Sequence, residues 1–203
     1  YELIRQKLNV SPSVLTALEK QGVLRIEAEA FYRNPVRCAD GTEKRVALSA
    51  AQRTVIDGIL ADYRAGRPGT YLLHGVTGSG KTEVYLGMIE QMVAMGRQAI
   101  VLIPEIALTY QTLLRFYRRF GDRVSVINSS LSMGEKYDQI MRAQAGELDV
   151  IIGPRSALFT PFPDLGMIII DEEHENSYKS ESMPKYHARE TAEEVARLSG
   201  ASL

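Results

Sequence analysis

Gly75-Val76-Thr77-Gly78-Ser79-Gly80-Lys81-Thr82 is the stretch on which the fold turns. It meets the pattern G-x-x-x-x-G-K-[ST] at every fixed position, and its flanks fit as well. Upstream lies the apolar run Tyr71-Leu72-Leu73-His74, which reads as a strand. Downstream, Val84, Met88, Ile89 and Met92 recur at helical spacing and predict a helix from near Lys81. A strand that turns through glycines into a helix aims curled backbone N–H groups and a positive helix end at one anion. In such a loop Gly75, Val76, Thr77, Gly78, Ser79 and Gly80 cradle ATP phosphates. Lys81 neutralises charge on the β- and γ-phosphates, and the Thr82 hydroxyl ligates Mg²⁺.

The same alternation continues outward. Short apolar runs at 99–103, 124–127, 150–152 and 167–170 read as strands, and stretches at 81–95, 106–120, 133–145 and 187–199 read as helices. Strands alternating with helices predict an α/β domain over 48–203, with a mainly parallel sheet covered on both faces. Ligands of such sheets bind beyond the carboxyl ends of the strands. Residues 38–47, with the Asp40-Gly41 turn, read as a linker. Residues 1–37 read differently, as helix, turn, helix and hairpin. Leu3, Ile4 and Leu8 mark the first helix. Ser11 is the expected N-cap of the second, with Pro12 in its first turn, Val14, Leu15 and Leu18 on its apolar face, and Gly22 as its stop. Strands at 23–26 and 30–32 and a closing Asn34-Pro35 complete the order expected of the last part of a winged helix; a generic helical linker is the alternative.

Composition narrows the class without naming a ligand. The 203 residues are 45% hydrophobic, enough for a real core, and carry a formal net charge of −1. Bulk charge therefore gives no support for nucleic-acid binding, which must rest on local patches. The one cysteine, Cys38, excludes an internal disulfide and fits a reducing, cytoplasmic setting. No apolar run approaches the ~20 residues of a membrane span, so no membrane association is expected. The chain opens with charged residues and without Met, so no signal peptide is expected and the natural N-terminus is expected to lie further upstream.

A second site signal sits at the end of the run 167–170. There Asp171-Glu172-Glu173-His174 follows an apolar strand. Adjacent carboxylates repel, so folding alone does not favour them. A divalent cation and an attacking water explain both: Asp171 would hold Mg²⁺, and Glu172 would orient and deprotonate the water. His174 is a candidate for coupling this site to a neighbouring motif.

With the phosphate loop upstream, this D-E-E-H looks like a superfamily 2 helicase. The stretches Ile103-Pro104-Glu105-Ile106-Ala107-Leu108-Thr109 and Gly153-Pro154-Arg155-Ser156-Ala157-Leu158-Phe159 are similar to those of the primosomal protein N′ (PriA) helicase family. Tyr110 and Asn128 depart from the family pattern, which usually has proline and often histidine there. The resemblance implies a first RecA-like P-loop NTPase lobe preceded by a partial winged-helix module. It implies an ATP-dependent DNA helicase, moving 3′ to 5′, that restarts stalled replication forks by primosome assembly. The implied partners are forked and single-stranded DNA, single-stranded DNA-binding protein and other primosome proteins, in a cytoplasmic, nucleoid-associated setting. A Ser-Ala-Thr motif, a zinc-binding region and a second lobe are expected beyond Leu203, so this fragment alone is expected to be nearly inactive.

Candidate DNA-binding residues follow from position and type. After both the 99–103 and the 150–152 strands a helix is expected to start, at Ile106 and after Gly153-Pro154, and near these helix N-termini Thr109, Arg155 and Ser156 lie where free N–H groups and small polar groups can hold phosphates. The cluster Arg115, Arg118, Arg119 and Arg123 reads first as a solvated helix face. In the loop 175–189, Tyr178 and Tyr186 alternate with Lys179, Lys185 and Arg189, a composition suited to stacking and phosphate contact. The family implies an aromatic-rich loop here that links DNA binding to hydrolysis. Gln52 offers a donor and an acceptor suited to an adenine edge, the role a glutamine has at this place in related helicases. Two rivals remain: another superfamily 2 DNA translocase, and a non-catalytic module in which the nucleotide only switches a DNA-binding surface.

Overall fold

The computed structural model describes residues 11–25, 47–76 and 78–203. The chain divides into two units, Tyr1–Phe31 and Tyr32–Leu203, each described by itself. In the first, α1 spans Pro12–Lys20 with Pro12 in its opening turn. Ser11 stands at the N-cap with extended backbone, but its hydroxyl pairs with Ser13 Oγ at 2.8 Å and makes no cap bond. Gly22 takes φ 71°, and the Val23 N–H closes on the Leu18 carbonyl, which ends the helix as expected. Leu15 is buried and Val14 is exposed. The helix expected around Leu3, Ile4 and Leu8, the strand at 30–32, the Asn34-Pro35 turn and nearly all of the linker lie outside the described residues. Residues 23–25 are in no strand.

The second unit opens with α2, Ala50–Arg64, started by a reciprocal cap: the Ser49 side chain accepts from the Gln52 N–H, and the Gln52 side chain accepts from the Ser49 N–H. Then come α3 (Lys81–Ala94), β1 (Gln98–Leu102), α4 (Tyr110–Phe120), β2 (Val124–Val126), α5 (Met133–Gln144), β3 (Val150–Gly153), β4 (Leu165–Ile170) and α6 (Ala188–Ser199). The strands form a parallel sheet in the order β2-β3-β1-β4. This is the expected α/β architecture.

Burial shows why the strands are near-continuous apolar runs. Their side chains alternate between two cores, as the two-residue period requires. Val101, Val150, Ile152 and Met167 face one core, which Leu60, Leu86, Ile89, Met92 and Phe116 of α2, α3 and α4 complete. Ile100, Leu102, Ile151 and Ile168 face the other, completed by Tyr178 and by Ala188, Ala192 and Ala196 of α6. No helix among the described residues is long and apolar enough to cross a membrane.

Three expectations are corrected. Residues 71–74 form no strand. Beside them run the last residues of the chain, where Leu203 donates to the Gly69 carbonyl at 3.0 Å and accepts from the Tyr71 N–H at 2.7 Å. Ser202 in turn bridges Met167 of β4. With so short a ladder the segment has strand-like pairing only at its start, and Leu72 is 77% exposed. The helix expected from residue 106 starts instead at Tyr110, because a 3-10 turn, Glu105–Ala107, intervenes and Thr109 is extended. After β3 comes a 3-10 segment, Arg155–Phe159, not an α-helix.

Gly153 shows how tightly the sheet's exit is packed: a Cβ there would lie 2.1 Å from the Ile127 carbonyl oxygen. Gly153→Ala should therefore destabilise the unit by about 1–3 kcal/mol through overpacking. Thermal unfolding of the variant beside wild type checks this; an unchanged melting temperature would contradict the packing described.

Candidate nucleotide site

A parallel sheet carries all its strand carboxyl ends on one edge, so the candidate residues gather there. The phosphate loop turns with Gly78 at φ 81° and Gly80 at φ 83°, a left-handed backbone that favours glycine. Thr77 lies outside the described residues. Lys81 opens α3 and folds its amine back into the loop, donating to the Gly75 carbonyl at 2.7 Å and the Val76 carbonyl at 3.3 Å. That amine and the α3 N-terminus provide the positive charge that triphosphate oxygens require. Val76, Gly78 and Ser79 are exposed around it.

Asp171 follows directly from β4, and its main-chain N–H donates to the Leu102 carbonyl at 2.9 Å. Its carboxylate takes two bonds: Tyr85 Oη donates to Oδ2 at 3.2 Å, and the Glu172 N–H donates to Oδ1 at 3.1 Å. Burial lifts the Asp171 carboxyl above the ordinary range. The Tyr85 hydroxyl works against that lift, the Glu172 charge adds to it, and the Glu172 N–H and the Lys81 charge oppose it. Lys81 lines the same cleft as Asp171 and Glu172, so the loop cation and the acidic strand end share one site. Glu172 is exposed, with φ 49°, the only positive φ of a non-glycine residue among the described residues. Such a backbone costs about 1–2 kcal/mol. His174 is exposed at the same turn, its Nδ1 3.8 Å from Glu172 Oε2. A cleft of about 690 Å³ joins these elements, lined by Gly75, Lys81, Tyr85, Asp171, Glu172 and His174 among others.

These residues fit a magnesium nucleotide. Mg²⁺ is commonly held by one or two protein oxygens together with phosphate oxygens, and Thr82 and Asp171 are the residues that would supply them here. Gln52 also touches the phosphate loop itself. Its Oε1 is taken by the Ser49 N–H at 2.8 Å, and its Nε2 lies 3.4 and 3.5 Å from the Ser79 and Gly80 carbonyls. In this arrangement Gln52 braces the phosphate loop against α2.

The candidate DNA residues divide. Tyr178 is corrected: it is 1% exposed, within the core below the loop, and cannot stack on a base. Its hydroxyl approaches the Leu102 and Asp171 carbonyls at 3.0 and 2.6 Å, so it holds the main chain of the acidic turn. Arg155 is largely occupied, its Nη1 donating to the Ser177 carbonyl at 2.6 Å, which ties β3's exit to the same loop. Thr109 caps α4 through Thr112 N–H at 3.2 Å. Ser156 is exposed. Beyond Tyr178 the loop closes as a small hairpin, with Lys179 bridging His187 and Ser180 N–H donating to the Tyr186 carbonyl. Lys179 and Lys185 are exposed on it, and Lys179 is only loosely paired, 3.7 Å from Glu181. Tyr186 meets the exposed Phe159 edge-on at 5.2 Å, so an aromatic pair stands at the surface. Of the basic cluster, Arg119 is buried against Glu83 of α3 and Arg123 is paired with Asp149, while Arg115 and Arg118 are exposed.

Two contributors escaped the sequence reading. Tyr85 lies one turn past Lys81 on α3, a polar-tipped residue in an apolar row, and that spacing could have flagged it. Glu105 accepts the Ser129 N–H at 3.0 Å; the Ser129 hydroxyl first, then this N–H, hold its carboxyl below the usual range and pin the turn after β1 to the one after β2. Nothing local in the sequence signals that pairing.

A loop that curls around a lysine, beside a strand that ends in paired carboxylates, defines a phosphate-loop nucleotide motor of the helicase type. Residues 49–199 match the DEAD/DEAH box helicases, and the chain belongs to that family. It is 46% identical over 190 residues to replication restart protein PriA of Bacillus subtilis (strain 168), a match covering 92% of this chain and 23% of that protein. It is 42% identical to replication restart protein PriA of Synechocystis sp. over 93% of this chain and 22% of that protein. Against replication restart protein PriA of Chlamydia pneumoniae it is 40% identical, over 98% of this chain and 27% of that protein. The resemblance to a PriA-type superfamily 2 helicase is thus borne out. The chain spans about a quarter of the length of these relatives.

The two loop tyrosines should separate in experiment. Tyr178→Ala should cost about 3–5 kcal/mol of stability, as for other large buried rings, whereas Tyr186→Ala should cost far less. Thermal unfolding of the two variants in parallel checks this; equal, small losses would contradict the burial of Tyr178.

Proposed function

We propose that this chain is the ATP-binding lobe of a DNA helicase that restarts stalled replication forks. The observation that carries it is the meeting of Lys81 with Asp171 and Glu172 on one sheet edge. Membership in the DEAD/DEAH box family and the similarity to PriA proteins support the wider reading. Lys81 and the α3 N-terminus bind the triphosphate. Thr82 and Asp171 hold Mg²⁺, which supplies charge neutralisation on the β- and γ-phosphates. Glu172, exposed at the acidic turn, orients a water and accepts its proton. Gln52 supports the loop and stands where a glutamine can also meet adenine. Forked and single-stranded DNA are the nucleic-acid substrates, with primosome proteins as partners in the cytoplasm. On the DNA side, Tyr186, Lys179 and Lys185 meet single-stranded DNA beside Phe159, and Ser156 and Thr109 stand near phosphates. His174 carries the state of that surface to Glu172, and Arg155 keeps the loop in place. Residues 1–37 are proposed as part of a winged helix that adds duplex contacts.

The test uses the full-length protein that carries this chain. Lys81→Ala should abolish useful ATP turnover. Glu172→Gln should keep ATP binding and slow hydrolysis by about 10²–10⁴-fold, because an amide cannot take the proton. DNA-stimulated ATPase and unwinding of a forked duplex are the measurements. Near wild-type turnover in either variant would sink the site assignment; nucleotide-dependent DNA binding with no ATP turnover in wild type would leave the non-catalytic-switch rival standing instead.

Tyr186→Ala should weaken single-stranded DNA binding by about 1–3 kcal/mol while nucleotide affinity stays unchanged, if a base stacks on that ring. Fluorescence anisotropy with a labelled oligonucleotide reads this, and undiminished DNA affinity would remove Tyr186 from the interface.

A further inference from the structure

Tyr85 lines the cleft and has no role in the reading above. It sits on α3 one turn past Lys81 and Thr82, and it is 5% exposed. Its ring stacks on Phe116 of α4, with centroids 6.2 Å apart and planes at 23°. A ring packed in this way puts its hydroxyl at a fixed point, and that point lies 3.2 Å from Asp171 Oδ2. The other oxygen, Oδ1, is fixed by the Glu172 N–H at 3.1 Å. Both carboxylate oxygens therefore have rigid donors, one from the phosphate-loop helix and one from the main chain. The rotor of Asp171 is set before any ligand arrives, and the remaining lone pairs are free for a cation. The hydroxyl is thus spent on the carboxylate that the site needs, beside the Thr82 side chain of the same helix.

We propose that Tyr85 is a positioning residue for the metal site: it orients the Asp171 carboxylate for the divalent cation that accompanies the nucleotide, and it joins the phosphate-loop helix rigidly to the acidic strand end. The proposal rests on reading the cleft as a magnesium-nucleotide site. Partners that orient a metal-binding carboxylate act without touching the ligand, and losing one typically costs 10–100-fold in metal affinity or activity. Tyr85→Phe removes the hydroxyl and keeps the packed ring, so packing and positioning come apart.

The experiment uses the full-length protein and a fluorescent ADP analogue, titrated with EDTA present and then with increasing Mg²⁺. Wild type should bind the analogue more tightly as Mg²⁺ rises. Tyr85→Phe should keep its melting temperature and its affinity in EDTA, while the Mg²⁺ concentration giving half of the enhancement rises by about tenfold. In an Asp171→Asn background the same substitution should add nothing further, since the group it orients is gone. An unchanged Mg²⁺ midpoint in Tyr85→Phe would overturn the proposal, as would an equal effect in both backgrounds. If wild type itself shows no nucleotide binding, it is the magnesium-nucleotide reading that fails, and the two failures are told apart. Should Tyr85→Phe not accumulate, Phe116→Leu loosens the ring and keeps the hydroxyl. A raised Mg²⁺ midpoint there supports positioning, and an unchanged one counts against it.

Discussion

Parallel pairing of β1, β3 and β4 is the constraint on which the rest of the molecule depends. Parallel strands need a crossover after each one, and every crossover leaves from the same edge. The turn after β1, the turn after β3 and the acidic turn after β4 have no other place to be, and the phosphate loop at the start of α3 opens onto the same cleft. Two cores, one on each face, then hold that edge still. Neighbouring strands also lie within hydrogen-bonding reach, so Asp171 can lean on the Leu102 carbonyl of β1. A ligand bound at one turn is felt at the next through backbone that is already rigid.

The acidic turn is costly in two ways, and each cost has a visible counterweight. Burial disfavours the charge on Asp171, and the Tyr85 hydroxyl, the Glu172 N–H and the Lys81 cation oppose that effect. Glu172 holds a backbone conformation that side chains avoid, and the bonds on either side of it fix that turn: Tyr178 on the Asp171 carbonyl and the Glu175 N–H on the Glu172 carbonyl. Strain that persists under such bracing is characteristic of functional turns, where geometry matters more than local stability. Tyr85 belongs to one core and Tyr178 to the other, so the acidic turn is gripped from both faces of the sheet.

How much of this was legible in the sequence depends on how local each signal was. The phosphate loop, the alternation of strands with helices and the carboxylates after 167–170 are local patterns, and they gave the architecture and the site. Failures came where a neighbour far along the chain decides the outcome. Residues 71–74 have strand-like sequence, yet ladder pairing depends on what runs beside them. The Arg155 guanidinium is drawn onto the Ser177 carbonyl, and the Gln52 Nε2 reaches the Ser79 and Gly80 carbonyls, contacts that local chemistry does not announce. Thr109 is the local exception: its hydroxyl caps α4 through the Thr112 N–H.

Tyr178 is the most instructive of these cases, because composition alone points the wrong way. In a polar loop with lysines, a tyrosine looks like a stacking platform, and Tyr178 and Tyr186 look alike. Their difference is depth. The loop must leave β4 and return to α6 across the second core, so its first turn has to fill space above Leu102, whereas its tip does not. A residue early in that loop is therefore drawn inward, and its hydroxyl then needs acceptors, which the strand-end carbonyls supply. A residue near the return meets the exposed Phe159 and stays half-buried, nearer the surface. Within one loop, the inner aromatic sets the geometry of the carboxylates and the outer one is left free to meet a ligand. A displacement of the tip can thus reach Asp171 only by moving the hairpin base, which Tyr178 and Arg155 hold.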